Sequence, residues 1–293
     1  MSFKSIDPQT TPTRDMHQYL LGSVSPRPIA LASTIDEQGN NNLAPYSFFN
    51  AFSSNPPTLV FSSNRRVSNN TTKDTLHNIQ KNQEVVINAV SYDIVRQMTI
   101  SSIEWPTELS EFEQSGLTPI PSDLIKPMRV KESPVQMECK VERIITLGEE
   151  GGAGHLIICN VVRMHVRRDI LDANNRINPH KIDLMGRMGR SYYVRASGDA
   201  IHTIYQPVTK TSIGYNALPD HVKASSVLTA NEIGRLAGLL SEPEHEDIDQ
   251  AQDTLDQKSW ATSELTQRTH LLAQDLMSSD LKTAAALLWA INS

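Results

Sequence analysis

Cysteine, aromatic residues and long apolar runs are all scarce in this chain, and each scarcity excludes something. Only Cys139 and Cys159 occur among 293 residues, each within an alternating apolar segment. They read as buried free thiols of a reducing compartment rather than a disulfide framework. The longest wholly apolar run, Ala284–Ile291, is too short to span a bilayer, and no basic-plus-apolar targeting signal is visible. The chain is therefore expected to be cytoplasmic, with no membrane partner. Positive charge is not in excess either. The formal net charge of −6 and pI near 5.8 argue against a nucleic-acid surface, so any bound anion must be captured locally.

Hydrolytic and metal signatures are missing as well: there is no nucleophile elbow, no HExxH and no CxxC, and the nine histidines are scattered. The glycine-rich stretch Gly148–Gly154 is no phosphate loop, because it precedes a strand rather than a helix and carries Glu149 and Glu150. It reads as the tip of a hairpin between Val135–Leu147 and His155–Arg167. With no side-chain catalyst advertised, a cofactor is the simpler carrier of any chemistry. No catalytic residue is assigned.

The first two-thirds of the chain read as strands. Ile29–Ile35, Tyr46–Ser53, Thr58–Ser62 and Glu84–Val90 carry the pattern, with helices expected from a Thr71 or Thr72 N-cap to about Lys81 and over Ile94–Ile103. Residues 104–134 read as an irregular excursion. From about Ala196 the pattern turns helical, with a Thr229/Glu232 capping box and amphipathic stretches at Val227–Leu240, Ala261–Met277 and Leu281–Ile291. The acidic cluster Glu242–Asp249 reads as a solvated linker. A first domain over residues 1–195 and a mostly helical extension over 196–293 follow.

Aromatics make up 5% of the chain, yet Tyr46, Phe48, Phe49 and Phe52 fall within seven positions, interleaved with Ser47, Asn50 and Ser53. Neither face of such a strand is cleanly apolar. Rings beside small polar groups suit a planar heterocycle with polar edges, and they suit a half-buried strand equally well. Further on, Ser62-Ser63-Asn64-Arg65-Arg66 follows a strand, and Thr71-Thr72-Lys73-Asp74-Thr75 opens a helix. Hydroxyls, cations and free helix N–H groups there make a credible phosphate site, each charge-assisted hydrogen bond contributing roughly 1.5–3 kcal/mol.

These segments carry a resemblance. Ser25-Pro-Arg-Pro-Ile-Ala30, Ser33-Thr34, Asn42-Leu-Ala-Pro-Tyr-Ser-Phe-Phe-Asn50, Ser54-Asn-Pro-Pro57 and Lys73-Asp-Thr-Leu-His-Asn-Ile79 resemble the flavin reductase-like, FMN-binding split-barrel family, which includes flavoredoxin and flavoprotein oxygenases. The likeness runs in order over residues 14–195. It implies a mainly β fold with α, a six-stranded antiparallel Greek-key split barrel with peripheral helices and a helical C-terminal extension, usually a homodimer with FMN near the interface. By position in those motifs, Ser33, Thr34, Ser47, Phe48, Phe49 and Asn50 would line the isoalloxazine and ribityl chain. Ser62, Ser63, Arg65, Lys73 and Thr75 would take the phosphate. Tyr192, in Gly186–Tyr193, would approach the flavin, although Arg190-Ser191 departs from the family pattern. Among the neighbouring rings, Phe52 is expected to fill the barrel.

The activity implied is hydride transfer from NADH or NADPH to flavin N5. The alternatives are a flavoredoxin-like electron carrier or flavoprotein oxygenase working with a partner protein, and a non-enzymatic flavin-binding protein.

Overall fold

In the computed structural model, which describes residues 2–106, 109–204 and 210–291, a seven-stranded antiparallel sheet organises the first part of the chain. After helix α1 (Thr13–Ser23) come β1 (Ala30–Ile35), β2 (Asn41–Tyr46), β3 (Phe49–Ser54) and β4 (Pro57–Ser62), then α2 (Asp74–Asn82) and β5 (Glu84–Ala89). Helices α3 (Val95–Ile100) and α4 (Glu111–Ser115) and the short pair β6 (Pro119–Ile120) and β7 (Arg129–Val130) occupy the excursion. The long hairpin β8 (Val135–Thr146) and β9 (His155–Val166) follows, then α5 (Pro179–Ile182) and the hairpin β10 (Leu184–Arg187) and β11 (Tyr193–Ala196). The large sheet has the order β2-β1-β5-β8-β9-β4-β3.

Two expectations are corrected here. The aromatic stretch is not one strand: β2 ends at Tyr46 and β3 begins at Phe49, with Ser47-Phe48 at the break. The sheet has seven strands rather than six, and among the described residues its edges β2 and β3 do not pair, so no closed barrel ladder forms. It nevertheless curls around a common core. Ala32, Ala44, Phe61, Ile87, Cys139 and Ile157, from six different strands, meet Leu76 and Ile79 of α2, and Tyr46 of edge strand β2 packs across on Phe61 of β4, ring centroids 5.2 Å apart. Register shifts at Glu138/Cys139 and Val141/Arg143 bend the long hairpin in the way that bulges do. Strand β1 is buried on both faces. Its even residues Ala30 and Ala32 face that core, and Leu31 joins a second one with Leu43, Ile94, Met98 and Phe112. Both cysteines are buried and unpaired by disulfide.

The chain divides into the units Met1–His202 and Thr203–Ser293. In the second unit, α6 (Asp220–Lys223), α7 (Ala230–Ala237), α8 (His245–Asp256), α9 (Thr262–Leu276) and α10 (Leu281–Ala290) surround the alanine-rich face of α10. The Thr229/Glu232 capping box forms as read. The acidic segment does not remain a linker: from His245 it is helix α8, because Ile248, Ala251 and Leu255 give it an apolar stripe to bury. No described helix is long and apolar enough to cross a membrane.

A partly buried relay ties this unit together. His221 Nε2 lies 3.0 Å from the Leu288 carbonyl, His221 Nδ1 2.8 Å from His270 Nε2, and His270 Nδ1 2.8 Å from the Ser225 hydroxyl. The Leu288 carbonyl can only accept, so His221 donates to it, His270 donates to His221, and Ser225 donates to His270. Burial, then the neighbouring His221, pushes His270 down to about 4. A base with a depressed folded pKa favours its neutral form in the fold. Between roughly pH 6.5 and 4 the unfolded state therefore binds the extra proton, and stability falls with pH. The unit is expected to lose on the order of 2 kcal/mol across that window. His270→Gln should flatten the dependence in urea melts at pH 7 and pH 4.5.

Candidate functional site

The first turn of α2 faces a polar cavity of about 360 Å3. Lys73 is the extended residue just before the helix, and no side chain caps the N-terminus. The structure thus shifts the start one or two residues beyond the expected threonine caps. Lys73 is half-buried, its Nζ 4.8 Å from the centroid of the Tyr46 ring. Among the described residues it has neither a hydrogen bond nor an ion pair. Burial, and secondarily Arg66, lower its pKa. Arg66 reaches the same cavity and is held by the Thr71 hydroxyl at 2.8 Å, the Thr72 carbonyl at 2.7 Å and Glu104 at 2.8 Å. Two cations thus lie beside free helix N–H groups, with the carboxylates of Asp74, Glu104 and Glu111 on the same cavity lining, and Glu104 partly offsets the depression of the Lys73 pKa.

Asn42 organises the opposite wall. Its Oδ1 accepts from the Thr75 hydroxyl at 2.7 Å and the Thr34 hydroxyl at 3.2 Å, and its Nδ2 donates to Glu111 at 3.2 Å. Asn78 donates to Thr34 at 3.1 Å, and the Leu43 amide donates to Glu111 at 3.1 Å. Burial raises the Glu111 pKa. Thr34 and Thr75 therefore position Asn42. Close by, Ser33 Oγ, Tyr46 OH and Ser63 Oγ are buried without hydrogen-bond partners, and burial pushes the Tyr46 hydroxyl up to about 12.

The remaining sequence-expected residues lie elsewhere. Ser47, Phe48, Phe49, Asn50 and Ser62 line a separate, mostly apolar groove of about 540 Å3, walled on one side by Met16, His17 and Leu20 of α1. Phe52 lines this groove at 69% exposure rather than filling the core, because β3 is an edge strand. Arg65 is turned onto Asn70, Nε to Oδ1 at 2.6 Å and Nη2 to the carbonyl at 2.7 Å, so Arg66 is the arginine that reaches the Lys73 cavity. Tyr192 lines a third cavity. Lys73 and Thr75 are thus the expected phosphate residues that share one cavity wall. Asn42, Arg66, Asp74, Glu104, Trp105 and Glu111 are among the residues that line it with them. Trp105 and Glu111 come from the segment that read as irregular, where no spacing marks them.

The glycine-rich hairpin tip serves the groove. A Cβ on Gly154 would lie 2.6 Å from Ser62 Oγ, which hydrogen-bonds Asn64 Oδ1 at 2.7 Å. Gly154→Ala is expected to break that bond and lower stability by about 1 kcal/mol, measured by thermal unfolding.

Comparison with known proteins gives consistent matches. The flavin reductase like domain matches residues 21–181. A protein of Aquifex aeolicus is 39% identical over 184 residues, 63% of this chain and 91% of its own length. Among solved structures, nitrilotriacetate monooxygenase component B from Bacillus cereus is 31% identical with a TM-score of 0.64, covering 70% of this chain and 99% of its own. A 2-nitrobenzoate 2-nitroreductase from Pseudomonas fluorescens is 28% identical with a TM-score of 0.63, covering 72% and 100%.

Proposed function

Because the chain belongs to the flavin reductase like domain family, whose solved relatives include a monooxygenase component and a nitroreductase, we propose that it is an FMN-dependent oxidoreductase using NADH or NADPH. One observation carries the reading: Lys73, half-buried and, among the described residues, without a hydrogen bond or ion pair, faces a polar cavity at a helix N-terminus together with Arg66, where Asp74, Glu104 and Glu111 are the only carboxylates among the described lining. A phosphate would give Lys73 its missing partner, with Arg66, already paired to Glu104, beside it. Bound flavin would supply a two-electron acceptor for hydride from the reduced nicotinamide.

The chain's own part is binding and alignment. Lys73, Arg66 and the first N–H groups of α2 would hold the phosphate. Asn42, fixed by Thr34, Thr75 and Glu111, would present its amide to the ribityl or ring edge. No acid or base is required of a side chain. The curled sheet, with six strands around one core, is read as a split barrel, and the apolar groove between α1 and β3 suits a homodimer contact.

Purification without added cofactor, followed by extraction and identification of bound flavin, tests the reading. FMN uptake together with NADH or NADPH oxidation supports it, and a colourless chain that takes up no FMN on titration sinks it. The likeness to a monooxygenase component B favours a second form of the same reading, in which reduced flavin passes to a partner oxygenase. Faster nicotinamide oxidation with free FMN in excess would distinguish that form from a closed electron carrier.

A further inference from the structure

Three side chains of metal-ligand type meet against the long hairpin, and none of them lines the cavity at Lys73 or the apolar groove. Glu138 on β8, His165 on β9 and Asp123 in the turn between β6 and β7 each bring one donor atom to a common spot, the three atoms lying within 4.8 Å of one another. No spacing in the sequence marks them. Glu138 stands 15 residues from Asp123 and 27 from His165.

Glu138 is fully buried, and its carboxylate is aimed by the Asp123 amide at 2.8 Å and the Leu124 amide at 2.7 Å, with His165 Nε2 2.7 Å from Oε1. Those bonds account for Glu138 but not for the Asp123 side chain. The turn that gives Glu138 two amides also sets a second carboxylate beside it, and among the described residues that carboxylate has no hydrogen bond. Arg129 stands 3.8 Å from it and spends its hydrogen bonds on the Pro121 carbonyl and Gln136. Two carboxylates held together, one of them out of water, repel unless a cation bridges them.

The donor set selects the cation. Two carboxylates balance a divalent charge while His165 stays neutral, and an imidazole nitrogen favours a transition ion over Mg2+ or Ca2+. Tetrahedral Zn2+ spaces its nitrogen and oxygen donors by roughly 3.3 Å, which a slight opening of the His165 contact and a turn of the exposed Asp123 side chain supply. His165 Nδ1 has no bond among the described residues and can carry the proton that Nε2 gives up. Exposure grades from none at the Glu138 side chain through 21% at His165 to 50% at Asp123, so the ion has a path in from solvent.

We infer that Asp123, Glu138 and His165 form a binding site for a divalent transition cation, Zn2+ by the chemistry of the donors, which clasps the turn between β6 and β7 to the hairpin. ZnCl2 alone, titrated by calorimetry into the full chain after EDTA treatment, is expected to bind and to raise the midpoint of thermal unfolding. MgCl2 at the same concentration should do neither. Asp123→Asn and His165→Gln, which keep side-chain size and leave Glu138 in place, should each weaken Zn2+ more than tenfold, with circular dichroism confirming that the variants fold. Zn2+ binding that survives both substitutions belongs to other histidines and overturns the assignment, as does a wild-type chain that takes up no Zn2+.

Discussion

Arg27→Ala is expected to lower the stability of the first unit by about 3–4 kcal/mol, read as a shifted midpoint in urea unfolding. Arg27 is 4% exposed and has no carboxylate partner among the described residues. Its guanidinium instead collects carbonyls: Nη1 donates to Leu21 at 2.5 Å and Val24 at 2.8 Å, at the end of α1, and Nη2 donates to Met188 at 2.9 Å, in the turn that carries Tyr192. Nε lies 3.4 Å from the Ser47 hydroxyl. Helix α1 buries no side chain of its own, so this fork is its main tie to the turn after β10. Alanine would leave three carbonyls without their charged donor. Lysine keeps the charge but not the planar fork, so Arg27→Lys should recover only part of the loss. A change below about 1 kcal/mol would show that the carbonyls find water instead.

Lys73→Ala is expected to weaken FMN by about ten- to a hundredfold, the loss of one charge-assisted contact of roughly 1.5–3 kcal/mol. Riboflavin, which lacks the phosphate, should bind wild type and variant alike. A parallel loss for riboflavin would move the phosphate away from Lys73. The unliganded chain offers an independent check. Burial and Arg66 depress the Lys73 pKa below its ordinary 10.5, so the charged form is disfavoured in the fold. As pH rises from the folded pKa toward 10.5, the unfolded state holds more protons and stability increases. Lys73→Met should remove that rise, and should leave the unliganded chain at least as stable near neutral pH, because no buried charge remains unpaired.

Much of the strand pattern was readable because β1, β4, β5 and the long hairpin carry β-branched and apolar residues between clear turn signals. Only the pairing of the long hairpin followed from a short connection; β1–β5, β5–β8 and β4–β9 join strands far apart in the chain. The aromatic stretch misled because its untidy alternation reflects a break: Ser47-Phe48 separates two strands at opposite edges of the sheet. The acidic segment misled because charge density hid the Ile248/Ala251/Leu255 stripe that makes it a helix. Of the expected site, Lys73 and Thr75 share one cavity, while Ser47–Asn50, Ser62 and Tyr192 line others.

By itself, the sequence determined the local features: buried thiols without a disulfide, a capped helical second unit, and a lysine at a helix N-terminus. Local spacing is enough for these, since caps, periodicity and turns act over a few residues. Only the tertiary structure decided which groups share a site. Arg66 rather than Arg65 reaches Lys73 because Asn70 captures its neighbour, and Asn42 becomes a hub because α2 and α4 bring Thr75 and Glu111 to it across 33 and 69 residues of chain. Such contacts depend on how the curled sheet folds its edges over the core, and no local pattern in the chain encodes that closure.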